Sequence, residues 1–353
     1  MDRSAFKPDL LNLPFTADEF HSMPYRWLGR TGLRVSPVGL GLWKFGVPET
    51  GDRASVDAAA AAEILDRAVE LGVTFWDTAN RYNASSGNSE RVLGQWFRRN
   101  PGLRREVVLA TKAFGLMDGR TPNHCRLSRI NLLESVYASL ERLGVDYVDL
   151  LYFHAFDPLT PPEESLAAVE DLVHMDLVRY FAVSNFTPDQ LALYQALESG
   201  FSIRCRVAAV QNEFNVLSGE TPPCQGTLDF AGRAGISFVA YTPLARGLLS
   251  ERYLDPARVG SGDRLYDEGT LADEAIEPAL AKVRRLAALA REWDLEISTL
   301  ALAYTLTLPG MGAVIPGASS PRQLEANAAA GKVALTADQI SRVNCALANP
   351  AVG

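Results

Sequence analysis

Asp77, Lys112 and His154 each stand at the end of a separate hydrophobic run: Val73-Thr74-Phe75-Trp76-Asp77, Val107-Val108-Leu109-Ala110-Thr111-Lys112 and Val148-Asp149-Leu150-Leu151-Tyr152-Phe153-His154. Tyr82 follows Asp77 by five residues, on the segment leaving the same run. Taken singly, each has a plain alternative. Asp77 suits a turn cap, Lys112 can snorkel, and His154 fits a satisfied core histidine. Taken together they suit proton transfer to a carbonyl oxygen. A phenol titrating near ~10 is a poor acid-base at neutral pH. A lysine held charged by an aspartate would stabilise the phenolate and lower that value. The imidazole would hydrogen-bond the carbonyl or share the proton. None of these groups supplies the electron pair that reduces a carbonyl, so the chemistry calls for a bound hydride cofactor.

Such convergence demands a particular scaffold. A helical pattern separates each run from the next, so the runs are expected to be parallel strands whose polar ends emerge on one face. The rhythm continues along the chain. A first strand is expected at Val38–Leu42, with a helix from Ala58 to Leu71 stopped by Gly72. Asn88 reads as the N-cap of the next helix. A helix from about Ser128 to Leu143 stops at Gly144, and another follows Pro161-Pro162-Glu163-Glu164. Later strands are expected at Val178–Ser184, Val207–Gln211, Ile236–Tyr241 and Ala313–Ile315. Eight such units predict an α/β chain folded as a (β/α)₈ barrel, with its site at the C-terminal ends of the strands. Tyr25 to Val35 reads as a β-hairpin that plugs the barrel bottom. Residues 1–24 read as an extended arm, and 25–353 as one barrel domain. Gly247 to Ile276 breaks the rhythm; this long aperiodic loop lies on the active side of the seventh strand.

Composition narrows the partners. The chain has 353 residues, a hydrophobic share of 47% and a charged share of 22%, the balance of a soluble globular protein. A net charge of −8 argues against nucleic acid and anionic membrane. Cys125, Cys205, Cys224 and Cys345 have no paired spacing, His124-Cys125 lacks companion ligands, and no metal is expected. The N-terminus lacks the order of a signal peptide, and no run reaches the ~20 apolar residues of a membrane span. The compartment expected is the cytoplasm.

A dinucleotide needs a seat. Gly39-Leu40-Gly41 lacks the remaining features of the Rossmann fingerprint. The later strands end instead in Ser184-Asn185, Gln211 and Tyr241, amides and a ring that suit a nicotinamide, although plain loop capping by Ser184 and Asn185 is the alternative. Pro316-Gly317-Ala318-Ser319-Ser320 leads into a helix whose free N–H groups suit phosphate.

With Trp76-Asp77-Thr78-Ala79-Asn80-Arg81-Tyr82, Ala110-Thr111-Lys112, Asp149 to His154, Val183-Ser184-Asn185-Phe186, Val210-Gln211-Asn212-Glu213, Tyr241-Thr242-Pro243-Leu244 and Ile315-Pro316-Gly317-Ala318-Ser319 in this order, the chain resembles the aldo-keto reductase family from about Tyr25 onward. Leu28 to Pro37 resembles the branch of bacterial sugar and aryl-alcohol reductases and potassium-channel β subunits. The resemblance implies a catalytic set of Asp77, Tyr82, Lys112 and His154. It implies a nicotinamide cofactor touching Gly41, Trp43, Asp77, Ser184, Asn185, Gln211, Tyr241, Pro243, Leu244, Gly247, Arg252, Gly317, Ser319, Gln323 and Asn327.

The chain departs from the family pattern in several places. Ala155-Phe156-Asp157 replaces the usual Arg-Pro-Asp, and Ala182 replaces a glycine. The acidic residue usual before Asn327 is Ala326, with Glu325 one step earlier. Gly317 and Gln323 stand where many members hold a Lys and an Arg on the 2′-phosphate of NADPH. Ser319, Ser320, Arg322 and Arg252 are candidate replacements, and NADP(H) is expected over NAD(H). Trp43, Tyr82, Phe114, His154 and Phe156 are expected to wall a pocket for an aldehyde, an aryl ketone or a sugar, while Trp96 and Phe97 read as helix core. The rival readings are an NAD-dependent aldose dehydrogenase and a cofactor-sensing regulatory subunit. A metal-dependent barrel hydrolase lacks its ligand cluster.

Overall fold

Short runs rich in β-branched, aromatic and alanine residues alternate with amphipathic helices, and in the computed structural model they close into a barrel. Residues 17–201, 205–260, 263–270 and 276–348 are described. The barrel strands are β1 (Leu40–Gly41), β2 (Phe75–Asp77), β3 (Val108–Ala113), β4 (Val148–Phe153), β5 (Val178–Ser184), β6 (Val207–Asn215), β7 (Ser237–Tyr241) and β8 (Met311–Ile315). Each pairs in parallel with the next. Parallel bridges Val38–Val314 and Gly41–Gly317 join the first strand to the last and close the ring.

The helices pack outside: α1 (Ala58–Glu70), α2 (Asn88–Arg99), α3 (Arg129–Leu143), α4 (Pro162–His174), α5 (Pro188–Leu197), α6 (Thr227–Ala234), α7 (Ile276–Glu292), α8 (Ile297–Thr305), α9 (Pro321–Ala329) and α10 (Ala337–Leu347). Local chemistry sets their ends. Asp57 caps α1 by accepting from the amides of Ala59 and Ala60, and Gly144 ends α3 at φ +63°. Asn88 is not the cap expected of it. It is the first residue of α2, and Gly87 at φ +71° holds the cap position, freeing the Asn88 amide to donate to Asp52 Oδ2 at 2.9 Å.

Two apolar layers hold the ring. Outside it, Trp76 meets Trp96 edge-on with ring centroids 5.0 Å apart, and Phe97 packs beside them, so both α2 aromatics belong to the core as the sequence predicts. Inside it, Phe75, Ala110, Leu150, Tyr152, Ala182, Ala209, Val239 and Ala313 fill the interior.

The bottom is plugged as expected. Arg26–Trp27 pairs antiparallel with Arg34–Val35, and Leu28 and Val35 join the interior cluster. Gly29, at φ +59°, donates to Ser237 Oγ at 2.7 Å, and a Cβ there would collide with the Ala208 carbonyl. Residues 17–24 depart from the extended arm expected. Glu19–Phe20 pairs with Met23–Pro24, and fully buried Met23 lies against the Gly331 backbone. Residues 1–16 lie outside the described residues. The aperiodic stretch after β7 also holds more order than its sequence suggests. Helical turns form at Glu251–Leu254, Pro256–Arg258 and Arg264–Asp267. Residues 261–262 and 271–275 of that stretch are outside the description. No helix of the described residues is long and apolar enough to cross a membrane.

Candidate active site

β2 and β3 run side by side with Asp77 opposite Ala110, and this register brings the Asp77 and Lys112 side chains together inside the ring. Lys112 Nζ donates to Asp77 Oδ2 at 2.5 Å, to Tyr82 Oη at 2.9 Å and to the Thr78 carbonyl at 2.9 Å. Tyr82 Oη in turn donates to Asp77 Oδ2 at 3.2 Å, and Gln211 Nε2 donates to Asp77 Oδ1 at 2.8 Å. Asp77 and Lys112 are each only 1% exposed, so their mutual charge compensation is what makes burial tolerable. His154 follows β4 and presents its ring edge-on to Tyr82, with centroids 6.0 Å apart. The four groups singled out from sequence meet in one place.

The electrostatics differ from the sequence expectation in one respect. Burial first, then the Asp77 charge and its hydrogen bond, hold the Tyr82 phenol well above its ordinary pKa rather than below it. Asp77 takes up the Lys112 charge that would otherwise favour a phenolate. Burial likewise lowers the Lys112 ammonium, against the pull of Asp77 and Glu90. His154 is pushed down to about 3, first by burial and then by the positive charges of Lys112 and Arg81. The site at neutral pH therefore holds a neutral phenol and a neutral imidazole.

A sign follows for pH dependence. The folded chain holds His154 unprotonated at pH values where the unfolded chain, with its ordinary value of 6.5, takes up a proton. This group's contribution is complete above 6.5 and is lost as pH falls from there toward 3. Denaturant unfolding of His154→Gln between pH 7 and 5 should show a shallower loss of stability than the parent chain. A loss of equal steepness would exclude the buried neutral imidazole.

A cavity of about 1090 Å³ opens above these groups. All the residues expected at the cofactor line it, from Gly41, Trp43 and Asp77 at one end to Gly317, Ser319, Gln323 and Asn327 at the other. Ser184, Asn185, Gln211, Tyr241, Pro243, Leu244, Gly247 and Arg252 lie on its walls. Asn185, at φ +60°, donates to the His154 carbonyl at 2.8 Å and accepts from Tyr241 Oη at 2.8 Å. Asparagine tolerates this left-handed backbone better than most residues. Gly41 lets β1 pass close to β8, since a Cβ there would sit 3.0 Å from the Ile315 carbonyl. Ser319 donates through both its amide and hydroxyl to Gln323 Oε1 at 2.9 Å, and Asn327 Nδ2 reaches the Gly317 carbonyl at 3.3 Å.

Two expected pocket residues are absent from this lining. Phe156 turns away to pack edge-on against Phe186 and Tyr194, and Phe114 is partly buried against the outer core. Trp43 and the catalytic side chains remain. Trp43 carries Lys44 Nζ 5.2 Å and the Arg264 guanidinium 4.6 Å from its ring centroid. Lys44, Thr242, Arg246, Arg258 and Arg264 also line the cavity and escaped the sequence reading. Lys44 had a signal, its place next to Trp43. The arginines lie on or beside the aperiodic loop, where no period says which way a side chain points. Among the described residues no group of His, Cys, Asp and Glu is arranged to hold a metal ion.

A model of the aldo/keto reductase family matches residues 37–348. The L-glyceraldehyde 3-phosphate reductase of Escherichia coli strain K12 is 31% identical over 317 residues, covering 88% of each chain. A putative voltage-gated potassium channel subunit beta of Schizosaccharomyces pombe is 32% identical over 311 residues, 87% of each chain. An aldo-keto reductase of Strobilurus tenacellus is 32% identical over 312 residues, 88% of this chain and 84% of the relative. With its closed barrel and a family match over most of its length, the chain belongs to the aldo/keto reductase family and is an oxidoreductase.

Proposed function

We propose that the protein is an NADPH-dependent carbonyl reductase in which Tyr82 protonates the carbonyl oxygen. The observation that carries this reading is the single Lys112 ammonium bonded to both Asp77 and Tyr82, beside a phenol that burial and Asp77 keep protonated. A protonated phenol is the form that donates in the reductive direction, and reduction leaves it a phenolate next to an ammonium. His154, neutral, offers a ring N–H to orient the carbonyl oxygen without competing as an acid. Asp77 keeps Lys112 in place and is itself held by Gln211.

The residues present fit a nicotinamide dinucleotide. Amide and hydroxyl groups of Ser184, Asn185 and Gln211 face the same cavity as the Tyr241 ring, and Ser319, Ser320, Arg258 and Arg322 line it too. Arg258 and Arg322 both bring a guanidinium to the cavity wall, the group that suits a phosphate. When bound, this cofactor supplies the hydride.

Arg252 is a weaker candidate than the sequence suggests, because it pairs with Asp263. In fluorescence titrations NADPH should bind at least about tenfold more tightly than NADH, one charge-assisted contact's worth, and Arg322→Ala should reduce that preference. Equal binding, or tighter NADH, would move sugar oxidation by an NAD-dependent aldose dehydrogenase ahead. Failure to bind either would remove the reading altogether.

A further inference from the structure

Two neighbouring residues of α2 reach the ends of three consecutive strands. Ser89 Oγ donates to the Leu42 carbonyl beyond β1 at 2.9 Å and accepts from Thr78 Oγ1 beyond β2 at 2.8 Å. The carbonyl of that same Thr78 accepts from Lys112. Glu90 Oε1 accepts from Thr111 Oγ1 of β3 at 2.6 Å. Side chains alternate along a strand, so Thr111 meets α2 on the outside of the barrel while its neighbour Lys112 points inside.

Glu90 is fully buried, and a carboxylate there is costly unless it is paired. Its second oxygen accepts from Arg142 Nε of α3 at 2.6 Å. Arg142 is shared, since it also donates to Asp118 Oδ1 at 2.6 Å and to Ser139 Oγ at 3.2 Å. One cation thus answers two carboxylates, and the cluster carries more negative charge than it cancels. The proton transfer assigned to Tyr82 makes no use of this cluster, yet the Glu90 charge acts on Lys112 in the same direction as that of Asp77, against burial.

We infer that Glu90 is a positioning residue of the reductase site: from outside the barrel it fixes β3 through Thr111, so that the Lys112 ammonium stays on Asp77 and Tyr82, and it supplies that ammonium with a second counter-charge. The inference rests on the carbonyl-reductase reading and deepens it. Reduction leaves Tyr82 a phenolate, which a charged Lys112 stabilises. Asp77 already accepts from Lys112, Tyr82 and Gln211. A carboxylate on the far side of β3 adds to the field without competing for the Tyr82 oxygen.

Alkaline pH reads this role. The titratable groups around Lys112 are Asp77 and Tyr82 from β2 and its exit, Glu90 from α2, and Tyr152 and His154 from β4 and its exit. Tyr241 acts on Tyr82 in turn, and Arg142 and Asp118 stand behind Glu90. Burial holds Tyr82 and Tyr152 well above the usual 10 and carries Tyr241 to about 12, while His154 lies at about 3. Lys112, lowered from 10.5 by burial, is the member of this set that loses its proton first as pH rises. Its loss sets the alkaline limb of kcat/KM for reduction. Removing a nearby negative charge makes the ammonium easier to deprotonate, so the limb must move to lower pH.

The test follows kcat and kcat/KM for a good aldehyde from about pH 6 to 10 with the full-length enzyme, beside a fluorescence titration of the cofactor. Glu90→Gln should lower kcat at neutral pH about tenfold and move the alkaline limb down by about half a pH unit or more. Cofactor affinity should stay within about twofold, because Glu90 is not part of the cavity wall. Glu90→Asp keeps the charge and shortens the reach; it should recover part of kcat and leave the limb where the parent has it. Thr111→Val cuts the bond but not the charge, and should lower kcat without moving the limb. Arg142 keeps Asp118 and Ser139 in all of these, so no cation is stranded. Should Glu90→Gln fail to fold, Glu90→Met combined with Thr111→Val removes both ends of the bond, and its limb should move in the same direction. A limb unmoved once the carboxylate is gone, or moved equally by Glu90→Asp, overturns the inference while leaving the reductase reading intact. A parent enzyme without turnover on every aldehyde and with both cofactors overturns the two together.

Discussion

Tyr82→Phe is expected to lower kcat/KM for a good aldehyde by about 10²–10⁴-fold, the range a positioned general acid contributes. The substitution removes one oxygen that donates to Asp77 at 3.2 Å and accepts from Lys112 at 2.9 Å. Lys112 still keeps Asp77 and the Thr78 carbonyl, so the pair is not orphaned and the fold should lose little. Cofactor affinity should survive as well, because the residues proposed to hold the cofactor lie elsewhere on the cavity wall. Measuring steady-state kinetics beside a fluorescence titration separates the two. Turnover within threefold of the parent would deny Tyr82 the proton-donor role; lost cofactor binding would make it a structural residue instead.

Legibility from sequence followed how much local pattern each feature carries. The parallel strands ending at Asp77, Lys112 and His154 were readable because a buried parallel strand is a short apolar run, and a polar residue closing it has few reasons to be there. Helix stops at Gly72 and Gly144 were readable because only glycine enters the left-handed region without strain, and both lie there at φ +73° and +63°. The cap at Asn88 misled because Gly87 answered the same geometric need one residue earlier. Phe156 misled for a different reason: position after a barrel strand says which face a residue reaches, not whether its ring turns inward or back onto α5. The direction of the Tyr82 shift is not legible in the sequence because it is set first by the burial of the phenol and then by the Asp77 charge acting on the phenol itself, both of which oppose Lys112.

That same pair permits a separation of stability from chemistry. Asp77→Asn leaves a fully buried ammonium with the Thr78 carbonyl, the Tyr82 oxygen, the neutral amide and the field of Glu90 around it, and should cost about 3–5 kcal/mol, the range for breaking a buried ion pair from one side. Lys112→Met should cost toward the lower end of that range, since Asp77 keeps the Gln211 and Tyr82 hydrogen bonds. The double variant should recover most of the stability, because no uncompensated charge remains, yet stay as inactive as the singles. pH distinguishes this from simple packing damage. The Lys112 ammonium already lies below its usual 10.5 in the folded chain, and removing Asp77, which raises it, must lower it further. A cation depressed on folding binds fewer protons folded than unfolded, so the stability of Asp77→Asn should climb between pH 7 and 9, with about 1.4 kcal/mol per unit as the ceiling for a single proton. The double variant has no such group and should show no climb of this origin. Denaturant curves for the four proteins at the two pH values measure all of these differences. Equal slopes for Asp77→Asn and the double variant would mean that the ammonium finds another counter-charge, and that the Asp77–Lys112 contact does not set the electrostatics of the site.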